Sequence, residues 1–432
     1  MKIAMVSEHA SPLARLGGVD AGGQNVHVAE LSAGLARRGH RVTVYTRRDD
    51  PDLPERVETP HDYTVVHVPA GPPEHLPKDE LLRYMGPFAR YLDAQWAEDR
   101  PDITHAHFWM SGIATQLAAR HLNLPAVQTF HALGVVKRRH QGAQDTSPSE
   151  RRRLEAMIAR TATWVTATCT DEVFELMRMG RSRSRISVVP CGVNLDMFTP
   201  VGTQAPRTAQ HRIVSVGRFS PRKGFDVVIR ALPLMPNTEL VIVGGPDRSQ
   251  FDSDPEVCRL RDLAAELGVG DRVRLHGSVA REDMPALLRS ADVVACTPWY
   301  EPFGIVPLEA MACGIPVVAS AVGGMLDTVV DDVTGRLVPP KCPTDTADAI
   351  YPLLRDSFLR RSLGAAGRDR ARSRYSWDRI AGDSLRIYDR LVPAGYSRPS
   401  AASSMRSGWP GRFQPDSSNV SACSTLAGSR RR

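Results

Sequence analysis

Apolar residues recur along the chain in short runs, most of them separated by stretches with helical spacing. The first run is KIAMV (2–6), which leads towards the glycine-rich GGVDAGGQ (17–24). Beyond it Val28, Leu31 and Leu35 share one helical face, and Gly39 suits the stop before HRVTVYT (40–46). Strand, glycine loop, helix and strand make a βαβ unit, which implies a parallel sheet with a right-handed crossover. Further strands are predicted at 63–69, 102–107, 126–132, 164–169 and 186–190. The theme restarts at RIVSVG (212–217), with the basic loop RFSPRKG, a helix at 225–233 and ELVIVGG (239–245). Strands at 272–277, 292–298, 315–320 and 335–339 continue it. The expected class is α/β, two facing doubly wound, Rossmann-like domains. In such folds ligands bind beyond the carboxyl ends of the strands, here in the cleft between domains.

The pattern also sets boundaries. Residues 1–194 form the first predicted domain and 212–375 the second, joined by an aperiodic, Pro- and Thr-bearing linker at 195–211. A helix at 376–392 closes the folded part. Residues 393–432 are rich in Ser, Gly and Pro and poor in large apolar side chains, which predicts a disordered tail.

Charge and composition narrow the function. Of the net charge of +7, the tail carries six arginines and one aspartate, so the rest is nearly balanced and no nucleic-acid partner is expected. No apolar run approaches the ~20 residues of a membrane span. The seven cysteines are scattered, odd in number and without C-x-x-C. That predicts a reducing, cytoplasmic setting and argues against a disulfide framework and a zinc site.

Three segments carry candidate chemistry. In GGVDAGGQ, glycines after a first strand let the backbone approach an anionic group, although the spacing is not G-x-G-x-x-G. In SVGRFSPRKG (215–224), Arg218 follows a strand end and Lys223 precedes a helix, a pair of cations suited to a diphosphate. In WYEPFGIVPLEAMACG (299–314), Pro302 keeps Glu301 in a loop, and Pro307 fits only a first helical turn. The helix is therefore expected to start near Phe303–Ile305, with Glu309 about a turn inside it. Two carboxylates across one bond would also suit a glycosidase, at about 5–5.5 Å or 6.5–9.5 Å. An anion site would be idle in a simple hydrolase, so the combination favours a nucleotide-linked or phosphorylated donor. The D-x-D at Asp252–Asp254 is a weak candidate for a metal, and the basic runs 135–140 and 151–153 for an anionic acceptor or a membrane surface.

The run EPFGIVPLEAMACGIPVVAS, with VGRFSPRKG upstream and VVPCGVNLDMF between the halves, resembles the retaining family-4 glycosyltransferases of the GT-B fold. The first half, through GGVDAGGQNVHVAEL, VPAGPPEHLPKDEL, HAHFWMSGIA and TFHALGVVK, is similar to the branch of sucrose-phosphate synthase and inositol-phosphate N-acetylglucosaminyltransferase. The resemblance covers about residues 1–392. It implies transfer of a sugar, glucose-type, from a nucleoside-diphosphate donor, UDP-linked, to an acceptor hydroxyl with retained configuration and no essential metal or cofactor. By that pattern Glu301 holds the donor sugar, with backbone N–H groups at Phe303 and Gly304 beside Ile305, and Glu309 binds the ribose. Arg218 and Lys223 clamp the diphosphate that Gly23 approaches, Gly277 to Val279 edge the base, and His131 lies beside the reacting sugar. The branch has Tyr and Thr where this chain has Phe108 and Ala132, so two phosphate-contacting hydroxyls are missing from the acceptor site, while Lys78 keeps one cation. A sugar-nucleotide epimerase and a non-catalytic nucleotide-sugar binder remain the alternatives.

Overall fold

The computed structural model describes residues 1–14 and 22–392. Residues 17–21 of GGVDAGGQ and the predicted tail at 393–432 therefore lie outside the described residues. The first lobe holds β1 (Lys2–Val6), β2 (Arg41–Arg47), β3 (Arg56–Glu58), β4 (Thr64–Val68), β5 (Ile103–His107), β6 (Ala126–Thr129), β7 (Trp164–Ala167) and β8 (Ile186–Val188). They form one sheet in the order β3-β4-β2-β1-β5-β6-β7-β8. All its pairings are parallel except that of β3, a short edge strand antiparallel to β4 that the apolar pattern did not predict. Its sequence, RVE, is too short to show a period.

The second lobe holds β9 (His211–Val216), β10 (Thr238–Val243), β11 (Val273–Gly277), β12 (Val293–Cys296), β13 (Val317–Ser320) and β14 (Gly335–Val338), in the order β11-β10-β9-β12-β13-β14. Every residue of β10 is buried, as a strand covered by helices on both faces requires. In both sheets the order reverses beside the first strand, so each lobe has a switch point where strand ends diverge and leave a crevice.

The predicted strands are in place, trimmed where their last residues turn away. β6 stops at Thr129, three residues short of the expected end, as the chain turns away through His131 with its left-handed backbone (φ +60°). The expected helix at 376–392 spans Trp377–Leu391, but it packs on the first lobe. Arg38 meets Asp378 at 2.8 Å, and Tyr388 Oη lies 2.6 Å from His105 Nδ1. One apolar cluster accordingly runs from Met5 and Leu31 through Cys191, Phe198 and Trp377 to Leu308 and Val317, joining both sheets.

Candidate active site

A cavity of about 420 Å³ opens where the two sheets' carboxyl ends face each other. Val216, Gly244 and Thr297 bring the ends of β9, β10 and β12 to it, and Phe108 and His131 those of β5 and β6. Thirteen predicted site residues line it: Gly23, Lys78, Phe108, His131 and Ala132 from the first lobe, and Arg218, Lys223, Val279, Glu301, Phe303, Gly304, Ile305 and Glu309 from the second. Gly277 does not. It ends β11 (φ +79°) with its carbonyl accepting from Gly244 N–H at 2.7 Å, and the wall begins one residue later.

On the second-lobe wall Lys223 and Glu301 are paired, Nζ donating to Oε2 at 2.6 Å. Gly224 turns the chain from Lys223 into the next helix, and a Cβ there would stand 1.9 Å from the Thr297 carbonyl, so only glycine brings the lysine this close to β12. Arg222, which the sequence reading passed over, reaches the same carboxylate at 3.4 Å, donates to the Tyr300 carbonyl at 3.0 Å and lies over the Tyr300 ring. Burial alone would raise the Glu301 carboxyl; Lys223 and then Arg222 outweigh it and hold it at about 2. Glu301 is therefore an anion throughout the neutral range and no proton donor.

Glu309 differs. The helix that bears it is Val306–Ala312, starting slightly later than expected, with Pro307 in its first turn. Its start is delayed by the loop at Gly304, whose left-handed backbone (φ +87°) packs against Met325. Arg281 stands 2.9 Å from Glu309 Oε1 and over the Phe198 ring. The contact is an ion pair without hydrogen-bond alignment, so Glu309 Oε1 and Arg281 Nη2 are buried and lack hydrogen-bond partners. Burial raises the Glu309 carboxyl, and Arg281 offsets that only in part. Both residues line the cavity, where a carboxylate and a guanidinium suit hydroxyls of a bound molecule.

The first-lobe wall is built of rings. His131 Nε2 lies 3.0 Å from His107 Nδ1, and His27 packs edge-on to His131 with centroids 4.9 Å apart. Burial pushes His27 to about 4, and burial reinforced by neighbouring histidines pushes His131 and His107 well below the ordinary imidazole range, so all three are neutral at pH 7. Beside them Phe108 is clasped by two cations, Lys78 Nζ at 5.5 Å and the Arg151 guanidinium at 5.1 Å from its ring. Arg151 is buried, pairs with Glu155 at 2.7 Å and donates to the Ala132 carbonyl at 2.9 Å. Across the cleft Gly23 comes so near the second lobe that a Cβ would touch Ile305 at 3.4 Å.

Other expectations resolve locally. Asp254 caps the helix Pro255–Glu266 and Asp252 pairs with Arg261, so both carboxylates have structural partners. In the basic run 135–140, Lys137 pairs with Asp145 and Arg139 with Glu175, while Arg138 donates to the Gly142 carbonyl. Among the described residues no helix is long and apolar enough to cross a membrane.

The chain matches the family models for glycosyltransferase family 4 over residues 21–197 and for glycosyl transferases group 1 over residues 203–370. It is 38% identical to a D-inositol 3-phosphate glycosyltransferase of Xylanimonas cellulosilytica, across 90% of this chain and 96% of that protein. The chain belongs to the GT-B glycosyltransferases. A second such protein, from Stackebrandtia nassauensis, is 36% identical over 90% of this chain and 91% of its own. The sucrose-phosphate synthase of Thermosynechococcus elongatus superposes with a TM-score of 0.83 at 34% identity, covering 90% of this glycosyltransferase and 98% of the synthase. The two matched stretches part between residues 197 and 203, after β8 and before β9, so the cleft lies between one family-4 half and one group-1 half.

Proposed function

We propose that this glycosyltransferase moves a glucose-type sugar from a nucleoside-diphosphate donor, UDP-linked, to a hydroxyl of a phosphorylated small molecule, with retention. The observation that carries the reading is the cluster of Lys223, Arg222 and Glu301 on one wall of the cavity, with Lys78 on the other. Arg218 and Lys223 hold the donor diphosphate; the Lys223 ammonium has three N–H donors, and Glu301 takes one. Glu301 and the backbone N–H groups of Phe303 and Gly304 hold the sugar, Glu309 the ribose, and Val279 the edge of the base. The bond from the anomeric carbon to the diphosphate oxygen breaks as the acceptor oxygen attacks the same face, and the acceptor proton passes to the departing diphosphate. Because Glu301 stays ionised it steadies positive charge at the sugar ring and neither attacks nor donates a proton. Neutral His131 orients a sugar hydroxyl. The fixed cations neutralise the leaving group, and the step runs without an essential metal.

For the acceptor we favour a phosphorylated polyol, the class named for the inositol 3-phosphate relatives. Lys78 supplies the charge, and Phe108 replaces a hydroxyl contact by an apolar face. The free, dispersed cysteines fit a cytoplasmic setting.

The test is diphosphate release from a panel of nucleotide sugars, with and without phosphorylated polyols and with and without chelator. Turnover should require one donor, rise with acceptor, survive chelator and fall on the order of 10²–10³ in Lys223→Ala and Glu301→Gln. Undiminished turnover in both variants would sink the site. A changed sugar nucleotide formed without acceptor would point instead to an epimerase.

A further inference from the structure

We infer that His27, His107 and His131 form a binding site for a borderline-soft divalent transition ion, with Zn²⁺ as the type, and that its occupancy withdraws His131 from the cleft. One ligand nitrogen on each ring lies within 4.8 Å of those on the other two. His107 Nδ1 and His131 Nε2, at 3.0 Å, are already near the ~3.3 Å that separates two nitrogens bound about 2.0–2.1 Å from one tetrahedral ion. Binding through His107 Nδ1 places that ring's single hydrogen on Nε2, where Met5 Sδ at 3.3 Å is a weak acceptor that fixes the tautomer. Cys191 Sγ, 3.3 Å from His27 Nδ1, is a soft atom beside that ring but outside the three-histidine group.

The surroundings suit an ion of this kind and no other described group. His27 and His107 are buried, and no carboxylate is among the cluster's partners, so a hard ion such as Mg²⁺ gains nothing there. Access is through the cleft, which both His131 and Cys191 line. The cysteine spacing argued against a zinc site because the donors are histidines on separate elements: the helix Gly23–Ala36, the end of β5 and the loop after β6. Metal and donor would compete for the same histidine, making the ion a reversible inhibitor; that consequence rests on the role proposed for His131, whereas metal binding does not.

The full chain, stripped of metal by chelator, is titrated with Co²⁺ and followed by its visible absorption, then with Zn²⁺ in competition. One equivalent with a tetrahedral-type spectrum is expected, weakened at least ~10-fold in His27→Gln. Absence of specific Co²⁺ binding, or equal affinity in a folded His27→Gln, overturns the site. If that variant does not fold, X-ray absorption of the zinc-loaded wild type decides: two or three imidazoles support the site, an oxygen-only shell refutes it. Stoichiometric zinc binding with undiminished turnover would overturn the inhibitory half alone.

Discussion

On the second-lobe wall of the cleft, each glutamate has a cation within 3 Å, and the loop that carries Glu301 is held by Gly323, where a Cβ would stand 2.2 Å from the Glu301 carbonyl. The first-lobe wall presents neutral imidazoles and a phenylalanine ring, with its cations held behind that ring. The difference shows even within one residue type. Glu301 is pulled down to about 2, while Glu172 of the first lobe is driven up to about 7 by burial, which hydrogen bonds from Thr168 only partly offset. On the function proposed above, the charged wall grips the donor diphosphate, and the ring wall excludes water around the acceptor and can change its polar contacts cheaply.

The largest effects should come from breaking the charged wall. The double variant Lys223→Ala/Glu301→Gln is expected to lose less activity than the two single losses combined, because each residue's pairing with the other holds it in place for its own role. Additive losses in diphosphate release would show independent roles. Next, Arg281→Met should strand Glu309 as a buried charge, at a cost of about 3–5 kcal/mol. Denaturant unfolding would measure it, and a donor KM raised without loss of stability would contradict this account.

The titration contrast gives a smaller effect with a defined sign. Glu172 binds its proton more tightly folded than unfolded, so its contribution to stability is present below its ordinary 4.5 and lost as pH rises to about 7. Glu172→Gln should remove that loss and stabilise the protein at pH 8 by on the order of 1–3 kcal/mol, with no gain at pH 4. Equal gains at both pH values would refute the assignment. The depressed Glu301 acts in the opposite sense, its stabilisation lost only as pH falls from 4.5 towards 2. The smallest effect is expected on the ring wall: Phe108→Tyr should improve kcat/KM for a phosphorylated polyol a few-fold by restoring a hydroxyl, with donor KM unmoved.

These walls were not equally readable in the sequence. The strands were visible because parallel strands buried on both faces are written as apolar runs, and β3 was missed because three residues carry no period. The second-lobe wall lies mostly in two contiguous stretches, 215–224 and 299–314, so Lys223, Glu301 and Glu309 could be found from loop and helix punctuation. Arg222 was overlooked beside Lys223, since a basic turn does not reveal which cation faces inward. Arg281 meets Glu309 only through the packing of separate elements. The histidine cluster is the extreme case, for His27, His107 and His131 are brought together by a helix, a strand end and a loop far apart in the chain. Within β5, ITHAH alternates polar residues that would suggest a solvated face, yet the strand is wholly buried against the final helix.

That final helix, Trp377–Leu391, follows the second lobe in sequence but covers the first, with Tyr388 on His105 and Ala381 against Gly34. A hybrid enzyme made by exchanging halves between relatives at residue 200 would therefore inherit a foreign lid on its first lobe. To exchange the two lobes cleanly, the exchanged piece must comprise the first lobe together with its distant last helix, two segments cut from one gene.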